Sequence, residues 1–255
     1  MATEEIKYGT YKKELVIRIK DVIRDIIKYN AVFRWMHPYL RRLWWKYLGP
    51  RNHRRLQKIG PQVMGRLHRL LTARSIPYYC DYGTLIGFVR NHWFLKTDGD
   101  IDISIMPGTS VAEVLRAFLD AGYGYIHGFD YQGKILEFTV ADVSGVTIDV
   151  FFPTATDEPG KIHGYQAVWR AQVKYPSENA NTVIEYDFAA ASKITTLKIG
   201  DMEVQIPENF DEVLTSEYGP WRIPDAHFNT VTDRVHRERE GFAYHVGVEE
   251  ALKLG

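Results

Sequence analysis

Apolar residues change their spacing several times along this chain, and each change marks an element. From Glu14 to Phe33, Leu15, Ile19, Val22, Ile23, Ile26 and Ile27 recur at spacings of three and four between Lys20, Arg24 and Lys28, which predicts an amphipathic helix. The next stretch, Ala31 to Leu48, mixes rings with cations: Phe33, Arg34, Trp35, Tyr39, Arg41, Arg42, Trp44, Trp45, Lys46 and Tyr47. Gly49-Pro50 closes it. From Pro61 onward the pattern is mixed. Val63, Met64, Leu67, Leu70 and Leu71 predict a helix, Ile76 to Cys80 a short strand, and Thr84 to Arg90 a helix after Gly83. Ile101 to Met106 alternates as a strand does. Ser110 to Asp120 reads as a helix, with Ser110 as its N-cap and Gly122 just past its end.

Lys134 to Val140 and Val146 to Phe152 are expected to be neighbouring strands around a Ser144-Gly145 turn, and Thr196 to Ile206 a hairpin about Gly200-Asp201. Helix resumes from Phe210 to Tyr218. The charged tail Arg234, His236, Arg237, Glu238, Arg239, Glu240 reads as a solvated helix face with intrahelical ion pairs. Strands and helices in irregular order predict an α+β fold with a small mixed sheet flanked by helices. Two parts are expected: a basic helical extension over 1–60 and an α+β body over 61–255.

Composition refines that division. The 255 residues carry 32 Lys+Arg and 32 Asp+Glu, a net charge of zero, which excludes a globally basic nucleic-acid coat and a globally acidic solvating tail. The zero is a cancellation, because residues 1–60 hold 15 Lys+Arg against 5 Asp+Glu, leaving 17 against 27 in the body. A basic arm with amphipathic rings suits the headgroup level of an anionic membrane. Packing of the arm on its own body or on a second copy of the chain, as a homo-oligomer, is the alternative. The single cysteine, Cys80, forms no intramolecular disulfide and reads as a packed thiol in a reducing compartment. No run of 18 apolar residues occurs and charges interrupt every candidate secretory leader, so the expected location is cytoplasmic, peripheral on the inner face of the membrane.

The chemistry concentrates in Asp98-Gly99-Asp100-Ile101-Asp102-Ile103. On a strand, Asp100 and Asp102 project to one face while Ile101 and Ile103 enter the core. Adjacent carboxylates raise one another's pKa unless a cation lies between them, and a hard divalent ion, Mg²⁺ or Mn²⁺, resolves the conflict. Asp149 stands in the otherwise apolar run Thr147 to Phe151, where an acid is expensive to bury without a partner. Tyr82-Gly83-Thr84 is a turn that opens a helix, whose first N–H groups would face a phosphate with Gly83 allowing close approach. Arg90 and Lys96 are candidates for phosphate oxygens, with a solvated surface role as the alternative for Lys96.

Other residues read as ordinary structure. Glu137 is an extra acid of the site or an edge-strand carboxylate facing water. His92 and His127 lack a partner at zinc-ligand spacing, and Tyr78, Tyr79 and Tyr82 serve in stacking or packing.

Gly83-Thr84-Leu85-Ile86-Gly87-Phe88-Val89-Arg90, then Phe94 and Asp98-Gly99-Asp100-Ile101-Asp102, resembles the signature of the LicD/fukutin family, as do Ile148-Asp149-Val150-Phe151 and the run from Leu197 through Pro207 to Leu214, Tyr218, Gly219 and Trp221. That resemblance implies a nucleotidyltransferase-like fold that transfers a phosphate-bearing group (phosphocholine, ribitol phosphate or glycerol phosphate) from a CDP-activated donor to a hydroxyl of a cell-surface glycan. It implies Asp100 and Asp102 as metal ligands and Asp149 as the third acid, ligand or base. Gly83, Thr84, Arg90 and Lys96 would contact substrate, and no nucleic acid is expected as a partner. The chain departs from the family pattern at Gly99, where an acid is usual, and at Lys96-Thr97, where Pro-Trp is usual. A metal-dependent glycosyltransferase using a nucleotide sugar, and an inactive membrane-bound scaffold, are the competing readings.

Overall fold

The computed structural model describes residues 49–254 apart from 169, 171, 172, 178, 226 and 230. The amphipathic helix at 14–33 and the ring-and-cation stretch at 31–48 lie outside the described residues. Helix α1 (Gly49–Ala73) begins at the Gly49-Pro50 pair, where the apolar pattern predicts a stop. Proline is tolerated in a first helical turn, because the N–H it lacks has no intrahelical partner there. The helix also runs through Pro61, so the division after residue 60 falls inside it. One stripe explains the continuity: Leu56, Val63, Met64, Leu67 and Leu71 are all fully buried, and Gly60 sits on the same stripe. A Cβ on Gly60 would come within 2.8 Å of the Phe94 ring.

Strand β1 (Tyr78–Cys80) leads to the short helix α2 (Tyr82–Ile86) and a π-helical turn, Gly87–Asn91. Strand β2 (Asp100–Ile105) is followed by helix α3 (Val111–Asp120), whose Ser110 side chain accepts from Glu113 N–H as an N-cap. Then come β3 (Gly124–Tyr131), β4 (Lys134–Ala141), β5 (Thr147–Phe151), β6 (Thr154–Ala155), β7 (Lys161–Val168) and β8 (Ala180–Ala189). The hairpin β9 (Ile194–Ile199) and β10 (Met202–Pro207) forms its own two-stranded sheet against α1 and β1. Helix α4 (Phe210–Tyr218), strand β11 (Arg237–Val246) and helix α5 (Val248–Leu254) complete the chain.

The main sheet is mixed, with the order β1-β2-β5-β4-β3-β11-β8-β7-β6. Its nine strands exceed the small sheet expected, because β7, β8 and β11 extend it beyond β3. Strands β2 and β5 run parallel, with the crossover through α3, β3 and β4; the other pairs are antiparallel. Ile101, Ile103, Ile148, Val150, Phe138 and Val140 share one core with α1, α3 and α5.

From Arg237 on, the charged tail is a strand rather than a helix face. Arg237 and Arg239 alternate with glutamates at period two and reach Glu185 on β8 at 2.8 Å and 3.6 Å. Strand β11 is thereby inserted between β3 and β8, in the interior of the sheet.

Because Leu56 is fully buried within this core, Leu56→Ala is expected to destabilise the fold by about 2–5 kcal/mol in urea unfolding. A loss under about 1 kcal/mol would place residues 49–60 outside the cooperative body.

Candidate active site

The turn from β1 into α2 is built around Asp81. Its backbone N–H donates to Asp102 O at 3.1 Å, and its Oδ1 accepts from Tyr82 N at 2.9 Å. Tyr82 takes a φ of 45°, a left-handed conformation that non-glycine residues rarely adopt. The first N–H of α2 is therefore already held by the Asp81 carboxyl, rather than presented to a phosphate. Thr84 is fully buried, and its hydroxyl oxygen accepts from Asp102 N–H at 2.9 Å. The structure thus makes Thr84 a clamp on the start of β2.

Gly83 permits a close approach of an unexpected kind. A Cβ there would lie 2.7 Å from Asp98 Oδ2, so the absence of a side chain makes room for that carboxylate. Strand register brings the other acids together. Asp102 on β2 stands opposite Asp149 on β5, and Asp149 stands opposite Thr139 on β4. Asp100 shares the Asp102 face, two residues away. Thr139 donates its hydroxyl to Asp149 Oδ1 at 2.7 Å, and His127 Nε2 lies 3.2 Å from the same hydroxyl. Glu137, two residues before Thr139, is on that face too. It belongs to an interior strand, flanked by β3 and β5, and not to a sheet edge facing water.

Burial and mutual repulsion push these carboxyls upward. Asp98 is raised to about 7 by burial first and Asp100 second, with Arg90 opposing. Asp149 is raised to about 7 by burial and then Asp100, and Glu137 to about 8 by burial and then Asp149. Asp102 is raised most plainly, by burial and then by Asp100, Asp149, Asp98 and Asp81. Among the described residues, Asp98 Oδ2 is buried without a hydrogen-bond partner. An oxygen-only donor set with an orphaned carboxylate oxygen fits a hard divalent cation such as Mg²⁺ or Mn²⁺.

Arg90 donates from Nη1 to Trp221 O at 2.8 Å, which holds its charge near Asp98. Lys96 is exposed.

A different group, His163, Glu185 and Asp187 on β7 and β8, brings its donor atoms within 4.8 Å of one another and has the geometry to hold a metal. Arg237 Nη2 lies 2.8 Å from both Glu185 Oε1 and Asp187 Oδ1, so an arginine already supplies the positive charge there.

Sequence reasoning omitted Asp98 from the site, although it opens the acidic run. It undervalued Glu137 and treated His127 only as a zinc candidate. The alternation of Glu137 with Thr139 was the available signal. For His127 none existed, since its role depends on the pairing of β3 with β4.

An acid-lined parallel strand pair beside a glycine turn, in a mixed α/β sheet, defines a protein of the nucleotidyltransferase-like class. Residues 75–209 match the family described as LicD/FKTN/FKRP, nucleotidyltransferase domain, and the chain belongs to that family. It is similar to the human ribitol-5-phosphate transferase FKTN, 24% identical over 169 residues, covering 66% of this chain and 34% of that protein. It is also similar to an uncharacterised protein, RT0683, of Rickettsia typhi, 36% identical over 72 residues, covering 28% of this chain and 23% of that one. The chain therefore spans about a third or less of the length of these relatives. Among solved structures, the lincosamide antibiotic adenylyltransferase LnuA with lincomycin bound aligns at a TM-score of 0.37 and 15% identity, over 58% of this chain and 80% of that one.

The acids make stability depend on pH. Each raised carboxyl holds its proton more firmly in the folded chain than in the unfolded one. Its contribution is complete below about pH 4 and is lost as pH rises through about 7 for Asp98 and Asp149 and about 8 for Glu137. The Tm of metal-free protein should fall from pH 5 to about pH 8.5 in differential scanning fluorimetry. Added Mg²⁺ should raise it at the upper end and do little at pH 5. A flat profile, or equal Mg²⁺ effects at both ends, would contradict this charge arrangement.

Proposed function

We propose that this protein transfers a phosphate-bearing group, of alditol-phosphate or phosphocholine type, from a CDP-activated donor to a hydroxyl of a cell-surface glycan. The observation that carries the reading is the acidic floor: Asp102 and Asp149 in register on the parallel strands β2 and β5, with Asp98 against Gly83. Asp98, Asp100 and Asp102 are the residues to hold a divalent cation, which when bound would neutralise the donor diphosphate and the departing CMP. Asp149 has Oδ1 engaged by Thr139, which leaves Oδ2 to accept the proton of the attacking hydroxyl. A carboxyl raised to about 7 is suited to that task near neutral pH. Glu137, held protonated beside it, keeps a further negative charge off the floor. Arg90, fixed by Trp221 O, adds positive charge beside Asp98.

A donor panel with Mg²⁺ tests the reading. CMP release from a CDP-alditol or CDP-choline is expected, and Asp100→Asn or Asp102→Asn should lower the rate by about 10²–10³-fold or more while the fold persists by circular dichroism. Release of UDP or GDP from a nucleotide sugar in its place would overturn it.

The basic arm supports a peripheral location on the inner face of an anionic membrane, with residues 1–48 as the contact. Deleting residues 1–48 leaves α1 intact and should abolish cosedimentation with phosphatidylserine vesicles at low salt. Equal binding by the truncated chain would favour packing on protein instead.

A further inference from the structure

Between α4 and β11 the described residues of 220–236 form no helix or strand, and this segment drives one cation into the aromatic wall beside the acidic floor. Arg234 is 7% exposed. Its Cζ lies 4.4 Å from the Tyr218 ring centroid, 5.1 Å from Tyr82, 5.4 Å from Tyr186 and 5.6 Å from Phe188. Contacts of this kind hold a guanidinium electrostatically and use no N–H. Among the described residues, neither Nε nor Nη2 has a hydrogen-bond partner.

These two nitrogens form the side edge of the guanidinium fork, which is matched to a pair of oxyanion oxygens. The same edge is filled elsewhere in this fold. Arg66 places it on Asp142 with Nε at 3.1 Å and Nη2 at 2.8 Å, and Arg237 on Glu185 at 3.2 Å and 2.8 Å. Burial of such an edge unpaired is costly, so its retention points to a partner that arrives from outside.

Asp81 and Glu217 lie close enough to offset the charge of Arg234. Asp81 already accepts from Tyr82 N and Ser104 Oγ, and among the described residues neither acid hydrogen-bonds the Nε–Nη2 edge. Tyr82 is the wall shared with the acidic floor: its ring packs 4.7 Å from that of Phe151, and it directly precedes Gly83, which faces Asp98.

We propose that the Nε–Nη2 edge of Arg234 is an oxyanion subsite that takes a phosphate group of the substrate, one ring away from the acidic floor. Assigning the phosphate to the donor rests on the transferase reading; the oxyanion subsite does not.

Inorganic pyrophosphate is the probe, titrated calorimetrically into the full chain with EDTA present. Wild-type protein should bind it, Arg234→Gln at least about tenfold more weakly, and Arg234→Lys at an intermediate level, since an ammonium keeps the charge but not the fork. Should the Arg234 variants fail to fold, the Nε–H resonance of Arg234 in ¹⁵N-labelled wild-type protein gives the same information, and pyrophosphate should shift it. An unmoved resonance, no binding by wild type, or equal affinity in Arg234→Gln would overturn the subsite. Arg234-dependent pyrophosphate binding without CMP release from any CDP donor would leave the subsite standing and remove the transferase reading.

Discussion

The mutual repulsion of the carboxylates at the head of β2 and β5 is the constraint around which this structure is arranged. Partly buried acids at close quarters favour their neutral forms, and the fold accepts that cost at one place. It does so with a rigid frame. Thr84 holds the Asp102 amide, Asp81 holds the Asp102 carbonyl and the start of α2, and Thr139 holds one oxygen of Asp149. None of these contacts neutralises charge. They fix the Asp102 backbone and one oxygen of Asp149 in place, so the acids stay grouped on one face of the sheet.

Positive charge is kept near this floor but not on it. Arg90 is tied to the carbonyl of Trp221, and Arg234 is held among rings behind Tyr82. An arginine placed directly on an aspartate would satisfy the acids permanently, as Arg237 does for Glu185 and Asp187 on the far strands. Two acidic groups in one fold therefore have opposite electrostatic states. The cluster on β7 and β8 is closed by an arginine, and the cluster on β2 and β5 is left open.

Much of the fold was legible because it rests on local period. The β2 alternation, the Ser110 cap of α3, the turn at Ser144-Gly145 and the hairpin at Gly200-Asp201 all follow from neighbouring residues, and all appear as expected. The misreadings share one cause. Pro61 looks like punctuation, yet the stripe from Leu56 to Leu71 packs strongly enough on the core to carry the helix through it. The Arg237 to Glu240 run is as charged as a solvated helix face, but pairing of Arg237 and Glu238 with β8 makes it sheet. Charge content alone does not report which neighbours are available.

What the sequence determined by itself was the inventory of the site: Gly83 at the opening of a short helix, the acidic alternation at Asp98 to Asp102, and Asp149 in an apolar run, each set by adjacent residues whose spacing survives in any fold. Tertiary structure alone decided which of these meet and what state they are in. The Asp102–Asp149 register, the hydroxyl clamps of Thr84 and Thr139, the carboxylate of Asp98 in the space left by Gly83 and the caged edge of Arg234 all depend on contacts between segments far apart in the chain. Burial and register arise only when those segments pack, and pKa shifts and unpaired donors are consequences of packing.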